Sequence, residues 1–157
     1  MQRGSNIQRR AGFTLVEVVI TMLIIGILAA VAGPKFAKTL HRMRAESAAK
    51  RIKSDLNYVR QMAISRSGPL TVTFMPASND YSIPGLSSLS RNGAPYAVSL
   101  SVPPYNALLV SATLGTDSVI QFDHYGHPDS GGTITVKSGG YLKTVSIDPE
   151  TGKASIP

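Results

Sequence analysis

Residues 13–33 of this chain read FTLVEVVITMLIIGILAAVAG, and this stretch decides the fold. It holds 21 residues, and its only polar side chains are Thr14, Glu17 and Thr21. A helix of that length covers about 30 Å, which is the thickness of the hydrocarbon core of a bilayer. The stretch therefore predicts a transmembrane helix. The whole chain has 157 residues, which suffices for one domain of ordinary size.

The net charge of +7 is distributed unevenly around this apolar segment. Residues 1–12 carry +3, residues 13–34 carry −1, residues 35–66 carry +7 and residues 67–157 carry −2. The basic leader favours a cytoplasmic N-terminus by the positive-inside tendency. The basic run after Pro34 opposes that orientation, unless its first charges meet lipid phosphates.

Two other interpretations of the apolar segment stay open at this point. A secretory signal peptide also has a basic start and an apolar stretch, although this run is long and residues 30–32 form its only candidate cleavage site. A plain single-pass anchor leaves Glu17 unexplained, because an ionisable group at membrane depth costs about 2.5–3.5 kcal/mol. By itself, Glu17 is either a functional residue or a carboxylate that reaches the interface from the helix end.

Residues 9–17, RRAGFTLVE, resemble the N-terminus of type IV pilins and pseudopilins, which is a class III signal peptide. The resemblance implies that a prepilin peptidase cuts between Gly12 and Phe13 and methylates the new amino group of Phe13. It implies that Glu17 pairs with this amine of a neighbouring subunit, and that Pro34 bends the helix. A buried carboxylate and a buried ammonium are each costly alone, so pairing across subunits relieves both.

After Pro34, apolar residues recur at spacings of three and four to about residue 64, and Ser-Gly-Pro at residues 67–69 stops the pattern. We expect one helix over residues 13–66, whose second half covers a sheet with an apolar stripe. Its basic residues are expected to face outward. They form either a solvated face or a nucleic-acid contact together with a lysine near the C-terminus: Lys50, Arg51, Lys53, Arg60 and Lys153.

From residue 70 the period changes to two, which predicts a β-rich domain. The predicted strands are residues 70–75, 79–83, 96–102, 107–113, 118–122, 133–137, 141–147 and 153–156. Residues 84–95 are expected to be a loop. The fold class is thus α+β, with a long N-terminal transmembrane helix packed on an antiparallel β-rich domain. The expected parts are a leader (1–12), a membrane half (13–33), an amphipathic half (34–66) and a head domain (67–157).

Two further stretches resemble one branch of the pilins and pseudopilins. Residues 48–64 resemble the helix of the GspH/FimT-like branch, with Ile52 and Val59 in place of a Leu and an Ala. Phe122, Gly126 and residues 132–136 resemble its globular domain. The resemblance implies a pilin-like fold, with the prepilin peptidase, other pilin or pseudopilin subunits and the bacterial inner membrane as partners. It implies a single-pass protein whose C-terminal domain is periplasmic.

Little in the sequence points to catalysis. There is no cysteine, no G-x-S-x-G, no phosphate-binding loop and no H-E-x-x-H. His124 and His127 lie near two aspartates, but no helix presents the pair and no third strong ligand set is evident. His41 is expected to be solvated. We therefore expect no enzymatic activity, no metal, no cofactor and no small-molecule substrate.

The sequence predicts a minor pseudopilin of type II secretion, assembled near the tip of a periplasmic filament. The alternative is a minor pilin of a type IV pilus, including a FimT-like pilin that binds DNA in natural transformation. DNA-binding members of that group carry a basic Gly-Arg-x-Arg patch, where residues 152–155 of this chain read GKAS. The net charge of −2 on residues 67–157 also repels phosphate, which disfavours nucleic acid as a partner.

Overall fold

The computed structural model describes residues 12–87 and 94–157, except for the side chains of residues 31–34. It has two compact units, Met1–Ala37 and Lys38–Pro157. One helix, α1 (Leu15–Arg66), contributes residues to both units. The predicted helix is confirmed, and it begins two residues later than expected.

The start of α1 is a side-chain cap. The backbone N–H of Glu17 donates to the Thr14 Oγ1 at 3.2 Å, and the N–H of Val18 donates to the Thr14 carbonyl. A threonine in this position satisfies one of the N–H groups that the first helical turn leaves without a partner. Thr14 therefore lies outside the helix, and Leu15 is the first helical residue.

The end of α1 follows the predicted Ser-Gly-Pro stop. The N–H of Gly68 donates to the Ala63 carbonyl at 3.2 Å, which is the long hydrogen bond of a Schellman motif. The left-handed residue of this motif is Ser67, with φ of 50°, and glycine follows it. Pro69 then cannot continue the helix because it has no backbone N–H.

Eight strands follow α1 within the described residues. They are β1 (Leu70–Met75), β2 (Asp80–Ser87), β3 (Pro95–Ser99), β4 (Leu108–Leu114), β5 (Val119–Phe122), β6 (Gly132–Ser138), β7 (Tyr141–Ile147) and β8 (Ala154–Ser155). The described strands pair antiparallel, in two sheets of order β3-β2-β1-β5 and β4-β6-β7-β8. The predicted strands are confirmed, with small shifts of their ends.

The core lies between one face of α1 and the inner faces of both sheets. The predicted apolar stripe of the helix is buried, and it consists of Ala45, Ala48, Ala49, Ile52, Leu56, Val59 and Ala63. Alternate residues of the strands cover it, including Val72 and Ile83 of the first sheet and Val136 and Val145 of the second. Three alanines at the start of the stripe, Ala45, Ala48 and Ala49, are completely buried. Full burial of each large side chain contributes about 1.5–3 kcal/mol.

The prediction of a loop over residues 84–95 is wrong at its start, because β2 continues to Ser87 and Leu86 is buried. The pairing register with β3 shifts between Ile83 and Ser87. Pro84 lacks an N–H for the ladder, and Gly85 takes a φ of 86°, so the chain passes an irregularity and then resumes pairing. Residues 88–93 lie outside the described residues.

The family-like residues of the head domain meet at one corner. Phe122 is fully buried, and a Cβ on Gly152 would approach its ring to 3.1 Å. A Cβ on Gly126 would approach the Ile64 side chain to 2.7 Å, and Gly126 has a φ of 83°. The Arg60 Nε donates to the Gly126 carbonyl at 3.1 Å. Glycine at position 126 thus lets its loop pack against the end of α1, and glycine at position 152 lets a second loop pack against the first.

Candidate assembly and processing site

The predicted cleavage site is open to solvent. Gly12 and Phe13 precede the capped start of α1, and Phe13 is 82% exposed. No described atom lies within 4 Å of the position that a Cβ on Gly12 would take. The described residues therefore do not block a protease from reaching this peptide bond. The cleavage itself stays a prediction.

Glu17 lies in the first turn of α1, and its side chain is exposed. It follows Phe13 by four residues, and the Thr14 cap holds its backbone N–H. Its chain neighbours Val16 and Val18 are exposed apolar residues. If lipid or protein covers this surface, the carboxylate loses its water and needs a counter-charge. The role of Glu17 in assembly stays a prediction.

The first unit of the chain buries no described side chain. Every residue from 12 to 30 is exposed. Large apolar side chains form much of the surface of the helix, and they belong to Leu15, Val16, Val18, Val19, Ile20, Met22, Leu23, Ile24, Ile25, Ile27 and Leu28. Within the described residues, α1 is the one helix that is long and apolar enough to cross a membrane. An apolar surface of this extent requires lipid or other protein subunits to cover it.

The small residues of this segment are consistent with close helix packing. A Cβ on Gly26 would meet nothing within 4 Å, and Ala29 and Ala30 are exposed. Small residues at such spacings allow the backbones of two helices to approach in lipid or in a filament. Pro34 lies within the bounds of α1, but its side chain is outside the described ones. The bend at Pro34 therefore stays a prediction.

The basic residues of the second half of α1 do not form one solvated face. Lys50 is exposed and bonds Glu46 through its Nζ at 2.8 Å. Lys53 is half-buried, and Lys153 is exposed. Arg60 instead donates to the Gly126 carbonyl, so the expectation that it faces outward is wrong. This hydrogen bond gives the Gly126 carbonyl a partner and holds the Arg60 guanidinium against the loop.

Arg51 was also expected to face outward, but it is hydrogen-bonded to residues of the head domain and of α1. Its Nε donates to the Asp55 Oδ2 at 3.0 Å, and its Nη2 donates to the Tyr96 hydroxyl at 2.6 Å. The buried Tyr81 hydroxyl donates to the same Asp55 oxygen at 2.6 Å. We call these four residues the Arg51 network. It joins α1 to the central strand β2 and the outer strand β3 of the first sheet.

Burial sets the ionisation of the Arg51 network. Burial raises the pKa of Tyr96 to about 12, and the negative charge of Asp55 adds to this effect. Burial and Asp55 raise the pKa of Tyr81 well above its ordinary value. Burial opposes the charge of Arg51, but Asp55 and Tyr96 outweigh it and raise the pKa of Arg51. At neutral pH both tyrosines are therefore uncharged, and Arg51 is a cation.

The Arg51 network was not expected from the sequence, although one residue signalled it. Asp55 stands beside Leu56 on the apolar side of the helix, and a buried carboxylate requires partners. The expectation that His41 is solvated is also wrong. Its Nδ1 lies 3.3 Å from the buried Ser138 Oγ, and a Cβ on Gly139 would meet its ring at 2.8 Å.

The loop with His124 and His127 is organised by hydrogen bonds. The Asp123 Oδ1 accepts from the backbone N–H groups of Tyr125 and His127, and the His127 Nδ1 lies 2.6 Å from the Glu150 carbonyl. Burial opposes the charge of Asp123, but the hydrogen bonds from the backbone N–H groups of His127 and Tyr125, together with the nearby histidines, outweigh it and lower the pKa of Asp123. Among the residues described here, no group of three or more His, Asp and Glu could hold a metal ion.

Two family models match the chain. The prokaryotic N-terminal methylation motif matches residues 7–33, and the type II transport protein GspH matches residues 48–152. A search of curated proteins gives no match. The pilin-type N-terminus and the GspH-like domain expected from the sequence are therefore confirmed as family features.

Two solved structures illustrate the fold. The type IV minor pilin FimU of Pseudomonas aeruginosa is 18% identical, with a TM-score of 0.53 over 74% of this chain and 90% of FimU. The minor pseudopilin EpsH from the type 2 secretion system of Vibrio cholerae is 12% identical, with a TM-score of 0.54 over 73% of this chain and 96% of EpsH. Identities this low show a common pilin-like fold alone. Because the GspH model covers more than half of the chain, the chain belongs to the GspH family of minor pseudopilins and minor pilins.

Proposed function

We propose that this chain is a minor pseudopilin of a type II secretion system, and that it is the substrate of a prepilin peptidase and not an enzyme. One observation carries the proposal. An exposed Gly12–Phe13 bond directly precedes a capped helix whose apolar surface has no partner among the residues that the structure describes. The GspH family match supports a minor pseudopilin or a minor pilin, and the family's description as a type II transport protein is the reason for proposing the secretion machine first.

Processing changes the charge at the start of the helix. Removal of residues 1–12 takes away +3 of charge and leaves an ammonium on Phe13. Glu17 lies one turn further along, and pairing with the Phe13 amine of a neighbouring subunit would set the register of the helices. Such a pair specifies an arrangement more than it adds net stability. The unprocessed chain would lie in the inner membrane with its β-rich domain in the periplasm.

The test is the intact mass of the membrane-extracted chain, with and without a co-expressed prepilin peptidase. We expect loss of residues 1–12 and a gain of one methyl group on Phe13 only when the peptidase is present. Gly12→Val should block the cut because it adds a branched side chain at the scissile bond, whereas Gly26→Val should leave it intact. An uncut chain, or a cut after Ala32, contradicts the proposal.

The role of Glu17 and the identity of the machine need a second experiment. Crosslinking in cells at an exposed residue such as Ser54, followed by mass spectrometry, identifies the neighbouring subunits. We expect secretion pseudopilins among them, and Glu17→Gln should remove these crosslinks while Glu46→Gln leaves them. Capture of type IV pilus subunits instead would assign the chain to the alternative machine.

The contacts of the basic residues also support protein assembly over nucleic-acid binding. Arg51 and Arg60 are engaged within the chain, and Lys50 bonds Glu46. A gel shift at two salt concentrations checks this point. We expect no salt-dependent shift of DNA, and a shift abolished by Lys53→Gln/Lys153→Gln would favour the DNA-binding alternative.

A further inference from the structure

A short part of α1 just after the apolar segment is basic on one side and apolar on another. Lys38 and Arg42 are exposed, and so are Leu40 and Met43, with Met43 at 59%. Residues four apart lie on the same side of a helix, as do residues three apart. Lys38 and Arg42 thus form one stripe, and Leu40 and Met43 form another on nearly the opposite side of the helix, about four-tenths of a turn away. We call these four residues the juxtamembrane collar.

Among the described residues, no ion pair neutralises the positive charge of the juxtamembrane collar. The next carboxylate along the helix is Glu46, and Lys50 binds it at 2.8 Å. The hydrogen bond and charge of Lys50 lower the pKa of Glu46, and Lys143 and Arg42 add smaller effects in the same direction. Glu46 is therefore surrounded by more positive charge than it can balance. Lys143 of β7 adds to the positive potential near Arg42.

The juxtamembrane collar follows the apolar segment closely. Measured along the helical chain, Lys38 lies about 8 Å and Arg42 about 14 Å beyond Gly33. The headgroup region adds about 5–8 Å on each side of the hydrocarbon core of a bilayer. Long Lys and Arg side chains can extend back toward that layer while their aliphatic stems stay on apolar surface. The two cations are thus within reach of lipid phosphates.

We propose that Lys38 and Arg42 bind the phosphates of anionic phospholipids in the leaflet from which α1 emerges. The inference rests on the proposed function, in which residues 13–33 span a membrane. It adds an anionic phospholipid as a ligand, which a membrane-spanning helix does not by itself require. The charge complementarity explains why a basic run follows the apolar segment on the side where the positive-inside tendency disfavours it.

The experiment uses the full chain in detergent. The chain has no cysteine, so Ser54→Cys, at an exposed position, carries a single dye. Short-chain phosphatidylglycerol, short-chain phosphatidylcholine and inorganic phosphate are titrated separately. We expect saturable binding of phosphatidylglycerol that weakens between 0.1 and 0.5 M salt, and no comparable binding of phosphatidylcholine or inorganic phosphate.

The decisive variant is Lys38→Gln/Arg42→Gln, and Lys53→Gln/Lys153→Gln is its matched control with the same change of charge. The first should weaken phosphatidylglycerol binding about tenfold, because each cation near a lipid surface contributes severalfold in affinity. The control should bind as the original chain does. Both should unfold at the original temperature, because none of the four side chains is in the core.

Three results would overturn the inference. The first is that the Lys38→Gln/Arg42→Gln variant binds phosphatidylglycerol as the original chain does. The second is that the control variant loses as much affinity as the decisive variant. The third is that the Lys38→Gln/Arg42→Gln variant keeps its lipid binding and loses its crosslinks to a neighbouring subunit. The last would make this face a protein contact. The intact-mass test reports on processing separately. A chain that is never cut but binds phosphatidylglycerol as expected would refute the proposed function and leave the lipid site standing.

Discussion

The two halves of α1 have the same backbone structure and opposite environments. In residues 15–30 every side chain is exposed, including large ones such as Leu23. In residues 38–66 the stripe that contains Ile52 and Leu56 is completely covered by two sheets. The comparison shows that helical structure does not decide burial. The second half finds its partner within the chain, and the first half requires lipid or another subunit.

The composition of the two halves reflects this difference. The first half is apolar all round, which is typical of a helix surrounded by lipid or by other helices. The second half carries one apolar stripe and nine basic residues between positions 35 and 66. Its buried stripe begins with Ala45, Ala48 and Ala49, whose small side chains suit contact with a sheet. The composition of each half of α1 therefore indicates whether lipid, other helices or a sheet will cover it.

The largest effect should separate the two halves directly. Leu56→Ala should lower the free energy of unfolding of the head domain by about 2–5 kcal/mol, because it leaves a cavity in the core. Leu23→Ala removes the same atoms from an exposed side chain and should leave this free energy unchanged. Chemical unfolding of the full chain in detergent measures both. Equal destabilisation by the two variants would break the comparison.

The next effect concerns how the Arg51 network joins α1 to strands β2 and β3 of the first sheet. Asp55→Ala removes the acceptor shared by Arg51 and Tyr81, and should cost about 1.5–3 kcal/mol because both hydrogen bonds involve charge. Glu46→Gln breaks an exposed ion pair and should change nothing measurable. Thermal unfolding compares them. If Asp55→Ala were neutral, the Arg51 network would not stabilise the fold.

A smaller effect is expected at the start of the first half. Thr14→Ala removes the side-chain cap and should weaken the first helical turn by about 1 kcal/mol. Hydrogen exchange at the Glu17 amide in detergent should become faster, while the unfolding of the head domain stays the same. Thr21→Ala is the matched control, because its hydroxyl only donates to the Val18 carbonyl inside the helix. Faster exchange in both variants would argue against a specific cap.

The smallest effect is a change in alkaline stability. Tyr96 has a pKa raised to about 12 in the folded chain, so its neutral form is the stabilised one. This contribution is fully present below the ordinary pKa of about 10 and is lost as the pH rises through about 12. Tyr96→Phe should therefore flatten the decline of the urea midpoint between pH 10 and 12. An unchanged slope would mean that Tyr96 does not titrate differently on folding.

Most of the fold could be predicted because its signals are local. The change of period at residue 70, the Ser-Gly-Pro stop and the apolar stripe each depend on neighbouring residues, and all are confirmed. The continuation of β2 past Pro84 could not be predicted in this way. A proline and a glycine in sequence indicate a loop, and only pairing with β3 carries the strand through them.

The functional residues also fall into two groups, those that a local motif identifies and those whose contacts depend on the fold. Gly12, Phe13 and Glu17 could be identified from a contiguous motif, and their roles stay predictions. The engaged positions of Arg51 and Arg60 could not be identified. Arg51 meets Tyr96 across 45 positions of sequence and Arg60 meets Gly126 across 66, so no local pattern marks either contact.

The sequence by itself determined the helix, the alternation of the strands, the apolar segment and the family motif. Each follows from the periodicity of side chains along a backbone or from a run of adjacent residues, and neither requires knowledge of distant partners. The tertiary structure alone decided which charged side chains of α1 face water. That choice depends on which hydroxyl, carboxylate or carbonyl the sheets and loops bring beside the helix, because a buried polar group must find a partner wherever the fold places one.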